Sequence, residues 1–351
     1  MTDRSSCYTA STASPAVVLR RLSTGFWISK AIAVAAELGI ADQLKAGPKT
    51  IDELAQAVDA HPGALYRLLR AIASVGVFAE EGLGRFALTP LAALLLTDAP
   101  QSWRAAAVMN GEPWVWQPWG ELLYSVKTGN PAFDHTFGLE FDAYLAQQRD
   151  AADTFQAFMD VATGEEALAV APAYDFSGLR TVVDVGGGRG ALLGATLQAN
   201  PHLHGVLFEA PHVIATARAA LEAQGVADRC EFVAGDFFEA LPSGGDAYLL
   251  KWVLVSWDDE RAVTILHNCL RAMGESGRLL VVERLIPAGN EPFYGKLADL
   301  NLLVLYRGRH RTEAEYRTLF ARAGFALSRI LPTHSPTEFS IIEGLPRQRT
   351  S

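Results

Sequence analysis

The chain has 351 residues, of which 50% are hydrophobic and 20% are charged. This balance excludes a disordered or fibrous chain, and the length predicts two domains or one large domain with an appendage. Acidic residues exceed basic ones and give a net charge of −9, which argues against nucleic-acid binding. The three cysteines have neither disulfide nor metal-ligand spacing, and we expect a reducing cytoplasmic environment.

We expect no targeting or membrane-spanning segment. The first fifteen residues are small and polar and lack the apolar core of a signal peptide. The longest apolar-rich stretch begins at Ala31, is interrupted by Glu37 and is too short to cross a bilayer. These features predict a soluble cytoplasmic protein with no membrane partner.

Residues 16–100 are predicted to form helices that end in a short hairpin. Thr50 and Glu53 have the spacing of a capping box, and the segment EEGLGR separates two short apolar runs. A helix–turn–helix followed by a hairpin is typical of a winged helix. The helices are expected at 16–40, 50–58 and 61–76.

A winged helix raises the possibility of DNA binding, which the charges disfavour. Residues 1–100 contain nine basic and nine acidic side chains, and the predicted recognition helix has only Arg67 and Arg70. Phosphate neutralisation requires a cluster of basic residues. The helix at 16–40 carries Phe26 and Trp27, and we expect it to pack against another subunit in a homodimer.

Residues 101–177 are helical and rich in aromatic side chains, whereas strands and helices alternate from residue 178 onward. Continuous apolar strands in this alternation predict an α/β fold with a doubly wound, Rossmann-like parallel sheet. The last two strands are joined by a short link, which favours an antiparallel edge strand. The strands are expected at 181–185, 205–209, 231–235, 246–252, 278–283, 325–331 and 337–344.

A glycine-rich segment, DVGGGRG from Asp184 to Gly190, follows the first strand of this region and opens a helix. Glycines allow a tight turn and a close approach of the backbone to a ligand. The segment satisfies both a dinucleotide-binding pattern and the pattern D-x-G-x-G-x-G. Taken alone, it does not separate these two ligand classes.

The residues at two further strand ends distinguish between these two ligand classes. Glu209 closes the second strand, where an acid accepts hydrogen bonds from ribose hydroxyls. Asp236 follows the third strand and is placed to meet an adenine amino group, with Phe237 beside it to stack on the ring. Three acids around a loop that has no phosphate-binding lysine fit S-adenosylmethionine better than a pyrophosphate.

With these motifs in place, the chain resembles the class I S-adenosylmethionine-dependent O-methyltransferases of the caffeate and hydroxyindole type, including bacterial natural-product enzymes. The resemblance covers about residues 20–345. It rests on VVDVGGGRG, LFEAPHV, AGDFFEALP, LLKWVLVSWDDE, LLVVERLIP and GRHRTEAEY, in that order.

The resemblance implies a homodimer of three-part subunits with no metal. Residues 16–100 would form a winged-helix-like dimerisation domain, 101–177 a helical linker that lines the substrate, and 178–346 the catalytic domain. The cofactor residues would be Asp184, Gly186, Gly188, Glu209, Asp236, Phe237 and Lys251. The substrate would be lined by Met109, Asn110, Phe155, Met159, Val255, Ser256 and Asn301. His202 and His204 are expected to be solvated.

One departure from the family pattern concerns the general base. The family usually has His-Asp where this chain has Val255-Ser256, and that histidine deprotonates the acceptor hydroxyl. Glu283, which would steady the histidine, is present, whereas a second supporting glutamate is replaced by His310. Either His310 is a relocated base or the protein supplies no base, and we favour the second interpretation.

The favoured function is O-methylation of a small aromatic or polyketide-type natural product. The alternative is an S-adenosylmethionine-binding enzyme that does not methylate, such as a hydroxylase or a rearrangement or pericyclic catalyst. This alternative is retained because the anthracycline-type members of the family include a base-free methyltransferase and a hydroxylating protein. A DNA-regulatory module is the third hypothesis, and the balanced charge of the N-terminal region disfavours it.

Overall fold

The computed structural model describes residues 13–100, 102–333, 335 and 337–347. Residues 1–12, on which the prediction about the N-terminal segment mainly rests, lie outside the described residues, as does Cys7. Among the described helices, none is both long and apolar enough to cross a bilayer.

The first half of the chain is mainly helical and contains a small antiparallel sheet in the order β1-β3-β2. Its strands are β1 (Lys49–Thr50), β2 (Phe78–Glu80) and β3 (Arg85–Leu88). Its helices are α1 (Pro15–Ser23), α2 (Gly25–Glu37), α3 (Ile40–Gln43), α4 (Ile51–Ala57), α5 (Pro62–Ala73), α6 (Pro90–Ala93), α7 (Arg104–Met109), α8 (Pro113–Gly120), α9 (Leu122–Thr128), α10 (Ala132–Phe137), α11 (Phe141–Gln147) and α12 (Arg149–Val170).

The second half alternates strands and helices. Its strands are β4 (Thr181–Val185), β5 (His204–Glu209), β6 (Cys230–Ala234), β7 (Ala247–Lys251), β8 (Arg278–Arg284), β9 (Phe325–Pro332) and β10 (Phe339–Pro346). Its α-helices are α13 (Ala191–Ala199), α14 (Pro211–Ala223), α15 (Asp259–Ala272), α16 (Tyr294–Leu305) and α17 (Glu313–Arg322). Short 3₁₀ turns cover Ala171–Ala173, Ala227–Arg229 and Leu254–Ser256.

The chain divides into two compact units. The first unit lies within Met1–Gln117 and Leu145–Val161, and the second within Pro118–Tyr144 and Ala162–Ser351. The long helix α12 therefore contributes residues to both units.

In the first unit, the predicted single helix at 16–40 is wrong in detail, because the chain breaks at Thr24 between α1 and α2. The hydroxyls of Ser23 and Thr24 both donate to the carbonyl of Arg20, and such local bonds compete with the helical ladder. The predicted capping box is confirmed, since Thr50 and Glu53 each bond the other's backbone N–H. The core of the unit includes Ile40, Leu54, Leu69, Phe78 and Phe86.

In the second unit, seven strands form one sheet in the order β6-β5-β4-β7-β8-β10-β9. Strands β4 to β8 are parallel to one another, and β10 pairs antiparallel with both β8 and β9. The predicted α/β fold class is confirmed. The antiparallel strand is the last but one in the sheet, because β10 inserts between β8 and the edge strand β9.

Two apolar clusters pack the sheet of the second unit. One cluster lies on the face of the sheet that α15 and α17 cover, and it includes Tyr248, Leu266 and Phe320. The other combines opposite residues of the same strands with the end of α12, α13 and α14, and includes Leu207 and Leu221. Because helices cover both faces, the carboxyl ends of the parallel strands are where polar side chains can meet a ligand.

Candidate active site

The glycine-rich loop after β4 turns through backbone conformations that side chains rarely adopt. Gly186 and Gly188 have φ angles of +67° and +57°. A Cβ built on Gly187 would lie 2.5 Å from Oδ2 of Asp184, so a side chain there would collide with the carboxyl group. The loop consequently exposes bare backbone beside the end of β4, which is what close approach to a ligand requires.

Asp184 and Glu209 lie at the ends of the neighbouring strands β4 and β5. Asp184 is 1% exposed, and its Oδ2 has no hydrogen-bond partner. Burial, followed by the negative charge of Glu209, raises the pKa of Asp184 to about 7. Glu209 instead accepts from the backbone N–H groups of Gly188 at 2.9 Å and of Ala210 at 2.7 Å. Its carboxylate thereby ties the glycine-rich loop to the end of β5.

Asp236 and Phe237 follow the next strand, β6. Asp236 is exposed, and its Oδ1 accepts from the backbone N–H of Phe238 at 2.8 Å. The ring of Phe237 is half-buried and lies close to Gly186, because a Cβ built on that glycine would be 3.7 Å from the ring. An aromatic face thus adjoins the glycine-rich loop, as the sequence predicts for the adenine end of the cofactor.

Lys251 ends β7, on the other side of β4, and is only 6% exposed in its side chain. Its ammonium nitrogen lies 2.7 Å from Glu166 of α12 and donates to Thr163 at 3.4 Å. Glu166 also lies 3.5 Å from Arg284. Burial lowers the pKa of Lys251 and raises that of Glu166, while the ion pair between them opposes both effects. The electrostatic field of Lys251 also reaches Asp184, where it opposes the rise in pKa.

The 3₁₀ turn Leu254–Ser256 contains Val255, at which the sequence resemblance places the family's base. Val255 is 4% exposed, and its backbone N–H donates to Oε1 of Glu283 at 2.9 Å. The other oxygen of Glu283 accepts from the hydroxyl of Tyr316. Burial raises the pKa of Glu283 to about 7. Oε1 thus holds the turn while Oε2 is engaged by α17, and Glu283 positions the backbone of Val255.

Arg311 fixes the same turn from the opposite direction. It is fully buried and donates to the carbonyl oxygens of Leu254 and Trp257 at 2.9 and 2.8 Å. It also pairs with Asp259 at 2.9 Å, at the start of α15. Gly308, three residues earlier, packs directly on the backbone of residues 255–256. The segment 308–311 and the 3₁₀ turn therefore form one tightly bonded structure.

His310 lies within that segment and is 6% exposed. Its backbone N–H donates to Asp299 of α16 at 2.6 Å, and its ring nitrogen Nδ1 is buried without a hydrogen-bond partner. Burial, reinforced by the positive charges of Arg284 and Arg311, lowers the pKa of His310 to about 3. The imidazole is therefore neutral throughout the physiological pH range.

The predicted substrate residues are distributed between the two units. Met109, Asn110, Phe155 and Met159 belong to the first unit, on α7 or its C-cap and on α12. The others, Val255, Ser256 and Asn301, belong to the second unit. Ser256 lines a small open cleft whose walls include Asp142, Trp257 and Arg307. Oδ1 of Asn301 accepts from the indole N–H of Trp119 at 2.8 Å.

Three residues important to this arrangement were not predicted from the sequence. Glu166 pairs with Lys251, Arg284 pairs with Glu166, and Tyr316 donates a hydrogen bond to Glu283. The sequence could have indicated a buried position for Tyr316, because this residue directly follows the capping box Thr312–Glu315 and faces inward on α17. No sequence pattern indicates the ion pair of Glu166, which lies in a helix among alanines and a second glutamate. The exposed side chains predicted for His202 and His204 are confirmed, and His202 is additionally 3.2 Å from the carbonyl oxygen of Phe176.

Comparison with known proteins identifies the family. Residues 119–326 match the model of the O-methyltransferase domain, and residues 20–98 match that of the O-methyltransferase dimerisation domain. A phenazine O-methyltransferase of Lysobacter antibioticus is 46% identical over 94% of this chain and 96% of its own. An aclacinomycin 10-hydroxylase of Streptomyces purpurascens is 40% identical over 89% of this chain and 86% of its own.

Solved structures agree with the sequence comparison. The structure of a mitomycin 7-O-methyltransferase has a TM-score of 0.89 at 41% identity, covering 97% of this chain and 100% of that chain. An O-methyltransferase from neocarzinostatin biosynthesis, in complex with S-adenosyl-L-homocysteine and 1,4-dihydroxy-2-naphthoic acid, has a TM-score of 0.77 at 34% identity, covering 91% and 96%. The chain belongs to the S-adenosylmethionine-dependent O-methyltransferases.

Proposed function

We propose that this enzyme methylates a hydroxyl of a small aromatic natural product whose oxygen is already acidic before it binds. The observation that carries the proposal is the buried Val255, at the position that the resemblance assigns to the family's base. Its backbone N–H bonds Glu283, whose two oxygens are both engaged. A phenol of pKa near 10 needs a base at neutral pH, whereas an acceptor acidified by conjugation or by an internal hydrogen bond does not.

The residues at the strand ends fit the cofactor. The glycine-rich loop exposes backbone without side chains. Oδ2 of Asp184 is buried and has no hydrogen-bond partner within the described part of the chain, so the carboxyl group is suited to pair with the ammonium of a methionyl group. We assign the cofactor to Asp184, Gly186, Gly188, Glu209, Asp236, Phe237 and Lys251. When bound, S-adenosylmethionine supplies a methyl group that the adjacent sulfonium has already activated.

The contribution of the chain to the reaction is then placement. The acceptor gives up its proton to solvent, and its anionic oxygen forms the new bond to the methyl carbon while the carbon–sulfur bond breaks. Holding two reactants at about 3 Å in the correct orientation supplies much of the rate enhancement. We assign the lining of the acceptor to Met109, Asn110, Phe155, Met159, Val255, Ser256 and Asn301, with Glu283 as a support.

The test uses the purified protein, S-adenosylmethionine and two compounds whose hydroxyl is acidified by conjugation, 4-nitrophenol and 2-hydroxy-1,4-naphthoquinone. Mass spectrometry should detect a methylated product and an equal amount of S-adenosylhomocysteine. The rate should rise with pH along the ionisation of the acceptor, and His310→Ala should retain the rate within about tenfold, since loss of a general base costs more. A thousandfold loss in His310→Ala with intact binding would establish His310 as the base and reject the base-free mechanism.

A second candidate is an enzyme that holds the cofactor without transferring its methyl group. The 40% identity to an aclacinomycin 10-hydroxylase favours it, together with the loss of the family histidine. A fixed positive charge in the site would stabilise an anionic intermediate. Conversion of an acceptor without release of S-adenosylhomocysteine would identify this activity in place of methylation.

We further propose that the active form is a homodimer, in which residues 16–100 form the dimerisation domain, 101–177 the linker and 178–346 the catalytic domain. The match of residues 20–98 to a dimerisation domain supports this assignment, as do the exposed apolar side chains of α1 and α2. Phe26 and Trp27 are 53% and 63% exposed in the isolated chain. Sedimentation should give a dimer at micromolar concentration, and Phe26→Glu combined with Trp27→Glu should give a monomer.

A further inference from the structure

Trp252, the residue that follows β7, has a backbone conformation that large side chains rarely adopt. Its φ angle is +58°, in the left-handed region, where a bulky aromatic residue is an outlier. Its indole nitrogen Nε1 is also buried and has no hydrogen-bond partner among the described residues. Both features are unfavourable, and such features persist only where the surrounding structure enforces them, most often beside functional sites.

The turn at Trp252 adjoins the glycine-rich loop. Asp184 of β4 pairs with Leu249 of β7, so the carboxyl ends of these two strands lie side by side. Directly after the left-handed residue, Val253 packs on the loop, because a Cβ built on Gly186 would lie 3.0 Å from Cγ2 of Val253. The conformation of Trp252 therefore sets the position of a side chain that contacts the loop to which the cofactor is assigned.

Two cations and a second aromatic ring hold the indole of Trp252. Nζ of Lys251 lies 4.5 Å from the centroid of the indole, and Cζ of Arg284 lies 5.7 Å from it. The ring of Phe339 packs at 5.8 Å, and Arg284 also lies 4.3 Å over that ring. Cation–π attraction is strongest where water is excluded, and the side chains of Lys251 and Arg284 are both only 6% exposed.

Glu166 of α12 holds both cations in place. Its carboxylate lies 2.7 Å from Nζ of Lys251 and 3.5 Å from the guanidinium of Arg284. The hydroxyl of Thr337 donates to the same carboxylate at 3.3 Å. Without this anion, the two like charges beside the ring would repel each other in a site with little water. The contacts thus run continuously from Glu166 through the two cations and the ring of Trp252 to the turn beside the glycine-rich loop.

We propose that Trp252 is a positioning residue for the cofactor: its ring, held by Lys251 and Arg284, fixes the left-handed turn and thereby keeps Val253 against the glycine-rich loop. The residue acts through the backbone, and no contact between the indole and the cofactor is required. This inference rests on the proposed function only in the assignment of S-adenosylmethionine to this loop, and it is independent of the acceptor. An aromatic ring at position 252 is consequently needed for tight cofactor binding as well as for stability.

The test is calorimetry of the whole protein with S-adenosylhomocysteine, using two variants at position 252. Trp252→Leu removes the aromatic face, and we expect it to weaken binding by about tenfold or more because both cations lose the ring that they hold. Trp252→Phe is close to leucine in volume but keeps an aromatic face, so it should bind within about threefold of the unmodified protein. Unchanged affinity in Trp252→Leu, or an equal loss in both variants, would overturn the proposal.

A matched pair of buried acids separates positioning from stability. Glu343 is 3% exposed, pairs with Arg278 at 3.4 Å and Arg329 at 2.8 Å, and lies opposite Leu280 near the start of β8. Glu343→Gln and Glu166→Gln each remove a buried anion from between two cations. Only Glu166→Gln should weaken binding of S-adenosylhomocysteine. Equal affinities of the two variants would show that Glu166 does not anchor the ring and would reject the proposed series of contacts.

Failure of this proposal is distinguishable from failure of the cofactor assignment. Weak binding by Glu209→Ala with unchanged binding by Trp252→Leu would keep the glycine-rich loop as the site and reject the role of Trp252. Unchanged binding by both variants would reject the assignment and the proposal together. If Trp252→Leu does not fold, ¹⁹F NMR of protein labelled with 5-fluorotryptophan replaces it. The resonance that is missing in Trp252→Phe should shift on saturation with S-adenosylhomocysteine, and a resonance that stays in place would overturn the proposal.

Discussion

The carbonyl oxygen of Val255 occupies the space that a side chain at position 308 would need: a Cβ built on Gly308 would lie 1.9 Å from that oxygen. The same Cβ would lie 2.5 Å from the carbonyl carbon of Ser256. Only glycine permits this approach, and the approach brings the segment with His310 and Arg311 onto the turn with Val255. A requirement of backbone packing thus holds the segment with His310 and Arg311 against the turn that carries Val255.

The first prediction follows from this contact. Gly308→Ala should destabilise the protein by about 1–3 kcal/mol, because the added methyl group forces two backbone segments apart. It should also reduce methyl transfer, since Val255 and His310 move together. Urea denaturation and steady-state kinetics measure the two effects. Gly178→Ala is a matched control, because nothing lies within 4 Å of a Cβ at Gly178 and its φ is not positive, and its stability should change little.

The second prediction concerns the missing base. Val255→His should place an imidazole beside Glu283, whose carboxylate already bonds the backbone N–H of residue 255. A general base contributes about 10²–10⁴-fold where the acceptor is a weak acid. We expect a gain of at least tenfold for a simple phenol below its pKa and little gain for 4-nitrophenol, whose nitro group acidifies the hydroxyl by conjugation, measured as kcat against pH. Val255→Leu controls for the change in volume. Equal rates in the histidine and leucine variants would show that position 255 does not contact the reacting hydroxyl.

These predictions depend on residues that the sequence indicates to different degrees. The strand at 181–185 is predicted residue for residue, because continuous apolar strands bounded by polar residues are distinctive in a parallel sheet. Asp184 and Glu209 follow from that, since the carboxyl ends of neighbouring parallel strands converge, whereas Lys251 is predicted from the family resemblance.

The partners of these residues could not be predicted in the same way. Glu166 meets Lys251 only because α12 passes the end of β7, and no local pattern encodes a contact between segments so far apart in the chain. At the break at Thr24, the hydroxyls of Ser23 and Thr24 both donate to the carbonyl oxygen of Arg20. The spacing of apolar residues along a helix does not reveal such bonds. The hydrogen bond between Glu283 and Tyr316 is likewise a contact with a distant segment, α17, and the local sequence around Glu283 does not indicate it.

The third prediction separates a ligand-binding carboxylate from an ordinary surface one. Glu209→Ala should weaken binding of S-adenosylmethionine by about 1.5–3 kcal/mol, or roughly 10–150-fold, because a charge-assisted hydrogen bond to the ribose is lost. The anchor of the glycine-rich loop at Gly188 is lost as well. Calorimetry gives the dissociation constant directly. Glu222→Ala, on the exposed face of α14, should leave it unchanged. Unchanged affinity in Glu209→Ala would exclude the ribose role.

The fourth prediction is an asymmetry in the buried ion cluster. Glu166 faces two cations, Lys251 at 2.7 Å and Arg284 at 3.5 Å, and all three side chains are at most 6% exposed. Glu166→Gln leaves both cations without their anion and should cost about 3–5 kcal/mol of stability. Lys251→Met leaves Glu166 paired with Arg284 and should cost less. Urea denaturation at one pH compares them, with the exposed pair variant Arg317→Gln expected to cost at most about 1 kcal/mol. Equal losses from Glu166→Gln and Lys251→Met would show that Arg284 does not share the anion.

The fifth prediction concerns the pH dependence of cofactor binding. Burial and the charge of Glu209 raise the pKa of Asp184 to about 7, so the folded protein without ligand holds a proton there below that pH. A cationic methionyl group beside Asp184 favours the carboxylate and lowers its pKa, so that binding below pH 7 must release the proton. The affinity for S-adenosylmethionine should therefore rise with pH, by about tenfold between pH 6 and 8. Calorimetry in two buffers of different ionisation enthalpy measures both the affinity and the proton release.

Variants of Asp184 and Glu283 identify the group responsible for this pH dependence. Asp184→Asn cannot ionise, and we expect it to bind more weakly and without pH dependence. Glu283 also has a pKa raised to about 7 by burial, but its oxygens are engaged by Val255 and Tyr316. Glu283→Gln should therefore keep the rise in affinity between pH 6 and 8. If Glu283→Gln removes the rise and Asp184→Asn preserves it, the proton released on binding comes from Glu283, and Asp184 does not meet the cationic end of the cofactor.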